Sequence, residues 1–150
     1  MYQERDILTR KEAKKRSGLI SEVIYDLQLS LKKNSKTYDG KCSMHFTLSK
    51  KSQIVINTIS RIKKISINGK ETKDFKKTKY RIIIPKNLVK KGYNTILIIY
   101  SANYDHTGDG LHQFIDVEDK NEYIYSNFEP FAAHRMFPCF DQPDIKANFS

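Results

Sequence analysis

Long apolar runs are missing from this chain. The longest, Ile82-Ile83-Ile84 and Ile96-Leu97-Ile98-Ile99-Tyr100, fall far short of the roughly 20 residues that a membrane span needs, and they read as buried strands. The first residues, Met1-Tyr2-Gln3-Glu4-Arg5-Asp6, mix charges with no apolar run behind them. That is unlike a secretory signal, so a cytoplasmic protein with no membrane partner is expected. Cysteine is scarce: Cys42 and Cys139 are the only two, and they fit neither a metal-ligand spacing nor a dense disulfide framework. Free, buried thiols are the expectation. A Gly-x-Ser-x-Gly nucleophile elbow is absent, as is a phosphate-cradling Gly-rich loop before a helix, which excludes the hydrolase and nucleotide-binding readings built on those motifs.

Arginine is also sparse. Of 27 basic residues only six are Arg, and the net charge of +10 divides unevenly: the first hundred residues carry +16 and the last fifty −6. A Lys-dominated surface in an Ile- and Asn-rich segment fits compositional bias better than phosphate or base-edge recognition, which favour the guanidinium fork. Nucleic acid is therefore not the expected partner. A basic, non-enzymatic β-domain that binds an acidic partner stands as the alternative reading of the charge.

At 150 residues the chain suffices for one domain with its own core, and residues 1–150 are read as a single unit. Thr9-Arg10-Lys11-Glu12 is a capping box, predicting a helix over 10–17 that stops at Gly18. From Glu22 the period changes to two, with Val23, Tyr25, Leu27, Leu29 and Leu31 on one face. Asp39-Gly40 reads as a turn leading to a partner strand, where Cys42, Met44, Phe46 and Leu48 alternate with polar residues. Further strands are expected over 53–58, 64–68, 71–75, 79–84 and 93–103, with Asn68-Gly69 as a hairpin turn. About six short strands with few helices predict an all-β fold, a sandwich of antiparallel or mixed sheets.

The texture changes after Asn103, where polar loop residues become dense. His106, Asp109, His112 and Asp116 have ligand-type side chains, yet no helical His-x-x-x-His pair preorganises them, and turn hydrogen bonds are the simpler reading. A strand pair around Asp119-Lys120-Asn121 and a short helix over 130–136 are expected. If Pro130 opens that helix, Glu129 sits at its N-cap, where the helix terminus favours an ionised carboxylate. Such a group is either a plain cap or a grip for a cation. Arg135, alone in an acidic segment, is read as a structural residue paired with Asp141, Asp144 or another nearby acid.

The run Asn127-Phe128-Glu129-Pro130-Phe131-Ala132-Ala133-His134-Arg135-Met136-Phe137-Pro138-Cys139-Phe140-Asp141-Gln142-Pro143-Asp144 closely resembles the segment of M1 (aminopeptidase N) zinc aminopeptidases that reads Gln-Phe-Glu-Pro, then Ala-Arg, then Phe-Pro-Cys-Phe-Asp-x-Pro. Thr107-Gly108-Asp109-Gly110-Leu111-His112-Gln113-Phe114 and the opening Leu8-Thr9-Arg10-Lys11-Glu12-Ala13 resemble the bacterial branch. The resemblance implies a saddle-shaped N-terminal β domain packed on a thermolysin-like catalytic domain, and a role in removing N-terminal residues from peptides in peptide catabolism. It implies that Glu129 binds the substrate's α-amino group and that Asn127, where the family has the longer Gln, helps form the first specificity pocket. It also implies a Zn²⁺ cofactor held by His-Glu-x-x-His. Here the four His are followed by Phe46, Thr107, Gln113 and Arg135, so no metal ligand and no catalytic residue is expected in this chain. A piece truncated at its C-terminal end, and inactive alone, is the expectation.

Overall fold

The computed structural model describes residues 4–150. Helix α1 (Arg10–Ser17) forms where the capping box predicts it. Glu12 N–H donates to Thr9 Oγ1 at 3.3 Å and Thr9 N–H donates to Glu12 Oε2 at 2.9 Å, so two otherwise orphaned donors are satisfied. Among the described residues no helix is long and apolar enough to cross a membrane.

Apart from 3-10 turns at Lys86–Leu88 and Ala133–Arg135 the other regular elements are strands, in agreement with the all-β expectation. The strands are β1 (Ile20–Ser30), β2 (Thr37–Leu48), β3 (Ile54–Asn57), β4 (Arg61–Ile67), β5 (Lys70–Thr72), β6 (Lys76–Lys77), β7 (Arg81–Ile84), β8 (Gly92–Asn103), β9 (Gly110–Ile115), β10 (Glu122–Asn127) and β11 (Ala147–Phe149). A six-stranded sheet runs β11-β1-β2-β8-β4-β5, a three-stranded sheet runs β3-β7-β6, and β9 and β10 make a separate ribbon. Among the described strands only β11 joins in parallel, beside β1; the other strand pairings are antiparallel, so the main sheet is mixed.

The alternating residues of β2 reach the core as their period predicts: Cys42, Met44 and Phe46 are fully buried, with Leu48 beside them. Ile96, Ile98 and Tyr100 of β8 join them, and Ile54, Ile56, Ile82 and Ile84 from the smaller sheet complete the same cluster. One core thus binds both sheets, and burial of these side chains is its main driving force. The Asn68-Gly69 turn forms as expected, with φ of 49° and 82°, the positive values that a tight two-residue hairpin demands.

Three local expectations need correction. Asp39-Gly40 is not a turn. Both residues lie inside β2, opposite Ser30 and Leu29, and the chain reverses over 31–36 instead. Gly40 lacks a side chain for a packing reason: a Cβ there would sit 2.2 Å from the Tyr100 ring. Strand β1 starts at Ile20 and is interrupted between Ser21 and Ile24, with Glu22 at φ 53°, so the buried set is Ile20, Val23 and Tyr25 while Leu31 is exposed. The helix predicted over 130–136 shrinks to a single 3-10 turn at Ala133–Arg135. Ahead of it, Ala132 N–H donates to Phe128 O at 3.0 Å, closing a turn that leaves Glu129 outside any helix terminus.

Candidate functional site

The segment after β10 is tied down between His134 and Gln142. Tyr38 Oη donates to Met136 O at 2.7 Å. Cys139 and Asn57 exchange backbone hydrogen bonds of 3.0 and 2.8 Å. Phe140 N–H donates to Tyr25 Oη at 2.9 Å while the Phe140 ring meets Phe46 edge-on. Gln142 Nε2 donates to Ala13 O at 2.9 Å. Strands β1, β2 and β3 and helix α1 therefore all hold this one stretch, which a loop needs if its side chains are to be presented rigidly.

His134 and Asp141 form its internal brace. Asp141 Oδ2 accepts from His134 Nδ1 at 2.6 Å and from the His134 backbone N–H at 3.1 Å, with the imidazole completely buried. Nε2 lies 2.9 Å from Asp6 Oδ1, a contact without the alignment of a hydrogen bond. Arg135 pairs with neither Asp141 nor Asp144. Its Nη1 donates to Asp105 Oδ2 at 3.3 Å, and its Nη2 lies 3.6 Å from Asp6 Oδ2. Burial pushes the Asp105 carboxyl up, but bonds from Thr107 and Arg135 outweigh it and hold the group below its usual range. Gly110, at φ +64°, lets the loop pass close: a Cβ there would meet Arg135 Cβ at 2.8 Å. The sequence reading missed His134, Asp105 and Asp6 as partners. Asp6 and Asp105 are distant along the chain from the residues they meet, and the seven-residue spacing of His134 and Asp141 matches no local motif.

The brace stands beside an open groove of about 390 Å³ whose wall includes Tyr25, Phe128, Glu129, Pro130, Phe137 and Phe149. Glu129 is exposed on this wall, and none of the ion pairs among the described residues uses it. Its helix-cap explanation is thereby removed, leaving an uncommitted carboxylate on a mainly apolar groove that Asp141, Gln142 and Lys146 also line. Asn127 is exposed at the end of β10 and is not among the residues lining the groove.

The His106–Asp116 loop is held by its own turns. His106 Nδ1 meets Gln113 O at 2.8 Å, Gly108 N–H donates to His112 Nδ1 at 3.0 Å, and Asp116 Oδ1 accepts from Glu118 N–H at 2.7 Å. Among the described residues no three His, Cys, Asp or Glu side chains converge to hold a metal ion. The residues present therefore do not fit zinc.

An all-β domain of mixed sheets, bearing one rigidly presented loop and a free carboxylate on an apolar groove, defines the class of molecule. The Peptidase M1 N-terminal domain profile matches residues 21–150, and the chain belongs to that family. It is 31% identical over 148 residues to aminopeptidase N of Streptomyces lividans, covering 95% of this chain and 17% of that protein. To aminopeptidase N of Lactobacillus delbrueckii subsp. lactis it is 29% identical over 133 residues, 84% of this chain and 15% of that one. The chain thus spans under a fifth of the length of these curated relatives. Native leukotriene A4 hydrolase from Saccharomyces cerevisiae superposes with a TM-score of 0.73 at 20% identity, over 89% of this chain and 23% of that one; this likeness concerns the fold.

Proposed function

We propose that this chain is the substrate-anchoring, amino-terminal part of a zinc aminopeptidase that removes N-terminal residues from peptides, with Glu129 receiving the substrate's α-amino group. The observation that carries the reading is the unpaired Glu129 carboxylate on the apolar groove, within a segment that matches the family's motif. An exopeptidase has to recognise a chain end. A carboxylate in a partly desolvated groove does so by accepting a charge-assisted hydrogen bond from the terminal ammonium, a group that internal peptide bonds lack. Phe128, Pro130 and Phe137 lower the local dielectric, which strengthens that attraction.

Asn127 contributes to the first specificity pocket only once a further part of the protein builds the facing wall. The metal and the groups that hold it come from polypeptide beyond this chain, from the thermolysin-like catalytic domain. The two unpaired thiols support a reducing, cytosolic setting.

The test is Glu129→Gln in the complete enzyme. A charge-assisted hydrogen bond is worth about 1.5–3 kcal/mol, so kcat/KM on aminoacyl arylamides falls by about 10- to 100-fold. Unchanged kinetics would refute the role.

A further inference from the structure

A second cavity, of about 300 Å³, opens where α1 lies over β3 and β7, and it shares no wall residue with the groove at Glu129. Its polar wall holds three cations, Lys15, Arg16 and Arg81, against a single carboxylate, Glu12. That carboxylate is already committed: Arg81 Nη1 donates to its Oε1 at 2.5 Å, and Thr9 engages its Oε2.

Arg16 is the anomaly. It is only 8% exposed, and its Nη1 is shut off from solvent with no hydrogen-bond partner among the described residues. A guanidinium keeps its proton when buried; the carboxylate that acts on Arg16 is Glu12, which Arg81 and Thr9 already engage, and an incompletely compensated buried cation is costly. Buried polar groups without partners are rare enough that each calls for a ligand, an ion or a water.

The rest of the wall decides between an inorganic and an organic anion. Val55 and Ile83 are half-buried apolar side chains on this wall, and a bare phosphate or chloride would leave their open faces in water. A carboxylate attached to a branched aliphatic body would satisfy the cations and cover the apolar wall together. We infer that the cavity between α1 and the β3–β7 pair is a binding site for a small aliphatic carboxylate, its charge taken by Arg16 and Lys15 and its body lodged against Val55 and Ile83. This inference stands apart from the reading of Glu129.

The experiment is calorimetric titration of the protein expressed from its complete gene with 4-methylpentanoate, its neutral amide and inorganic phosphate. The expected result is one saturable site for the carboxylate, with the amide and phosphate at least tenfold weaker. Arg16→Met removes the cation, and Val55→Phe narrows the cavity while leaving every charge in place; each weakens binding at least tenfold. Should Arg16→Met fail to fold, Lys15→Gln at the exposed rim replaces it, with a loss of at least threefold expected. Absence of saturable binding, equal binding of the amide or phosphate, or full binding by Val55→Phe would overturn the assignment.

Discussion

Tyr100 occupies the space that a side chain on Gly40 would need. The two residues face each other across β8 and β2, and a Cβ on Gly40 would come 2.2 Å from Tyr100 Cζ and 2.4 Å from its hydroxyl oxygen. Tyr100 is fully buried, so it cannot swing into solvent. Gly40→Val should therefore destabilise the protein by about 1–3 kcal/mol, the usual cost of overpacking. Urea unfolding measures it. Combined with Tyr100→Ala it should lose less than the sum of the two single losses, because residues in contact are not additive; strict additivity would mean the two do not compete for space.

Glu12 links α1 to β7 and makes stability depend on acid pH. Burial raises its carboxyl, but hydrogen bonds from Arg81 and Thr9 outweigh that and hold it at about 2, against an ordinary value of 4.5. The folded protein binds fewer protons than the unfolded chain in that window, so this contribution is whole above about pH 4.5 and is lost as pH falls toward about 2. Glu12→Gln should flatten the fall in urea midpoint across that window while changing little of the slope above it. An unchanged acid slope would show that the pair with Arg81 is not formed in solution.

Both thiols should be slow to react while the protein is folded. Burial, with a smaller push from Asp26, raises Cys42 to about 12, and burial raises Cys139 well above its ordinary value. The thiolate is the nucleophile, so iodoacetamide at pH 8 should modify neither residue in the native state and both in concentrated urea. Native-state labelling at the rate of a free thiol would contradict this burial.

The chain alone should not hydrolyse aminoacyl arylamides when zinc is supplied, since no ligand set for a metal forms among its described residues. Release of arylamine measured with and without a chelator decides the point. Chelator-sensitive turnover by the pure chain would overturn the division of labour proposed above.

The sequence by itself determined the helix and most of the strands, because these rest on local chemistry: Thr9 and Glu12 cap each other over one turn, and the period of two in 42–48 sorts core from surface. It also carried the motif around Glu129. What it could not show was why two of its punctuation marks mean something else. Gly40 resembles a turn residue, but it is a hole for Tyr100, a residue 60 positions away. Pro130 resembles the first residue of a helix, but the hydrogen bond from Ala132 to Phe128 closes a turn there instead. The partners of Arg135 and His134 were equally out of reach, since Asp105 and Asp6 meet them only when the loop and the N-terminal segment close on the same surface. Local preference chooses an element; contacts between residues distant in sequence decide which charges are paired, and here they leave Glu129 free on its groove and Arg16 without a partner in the described chain.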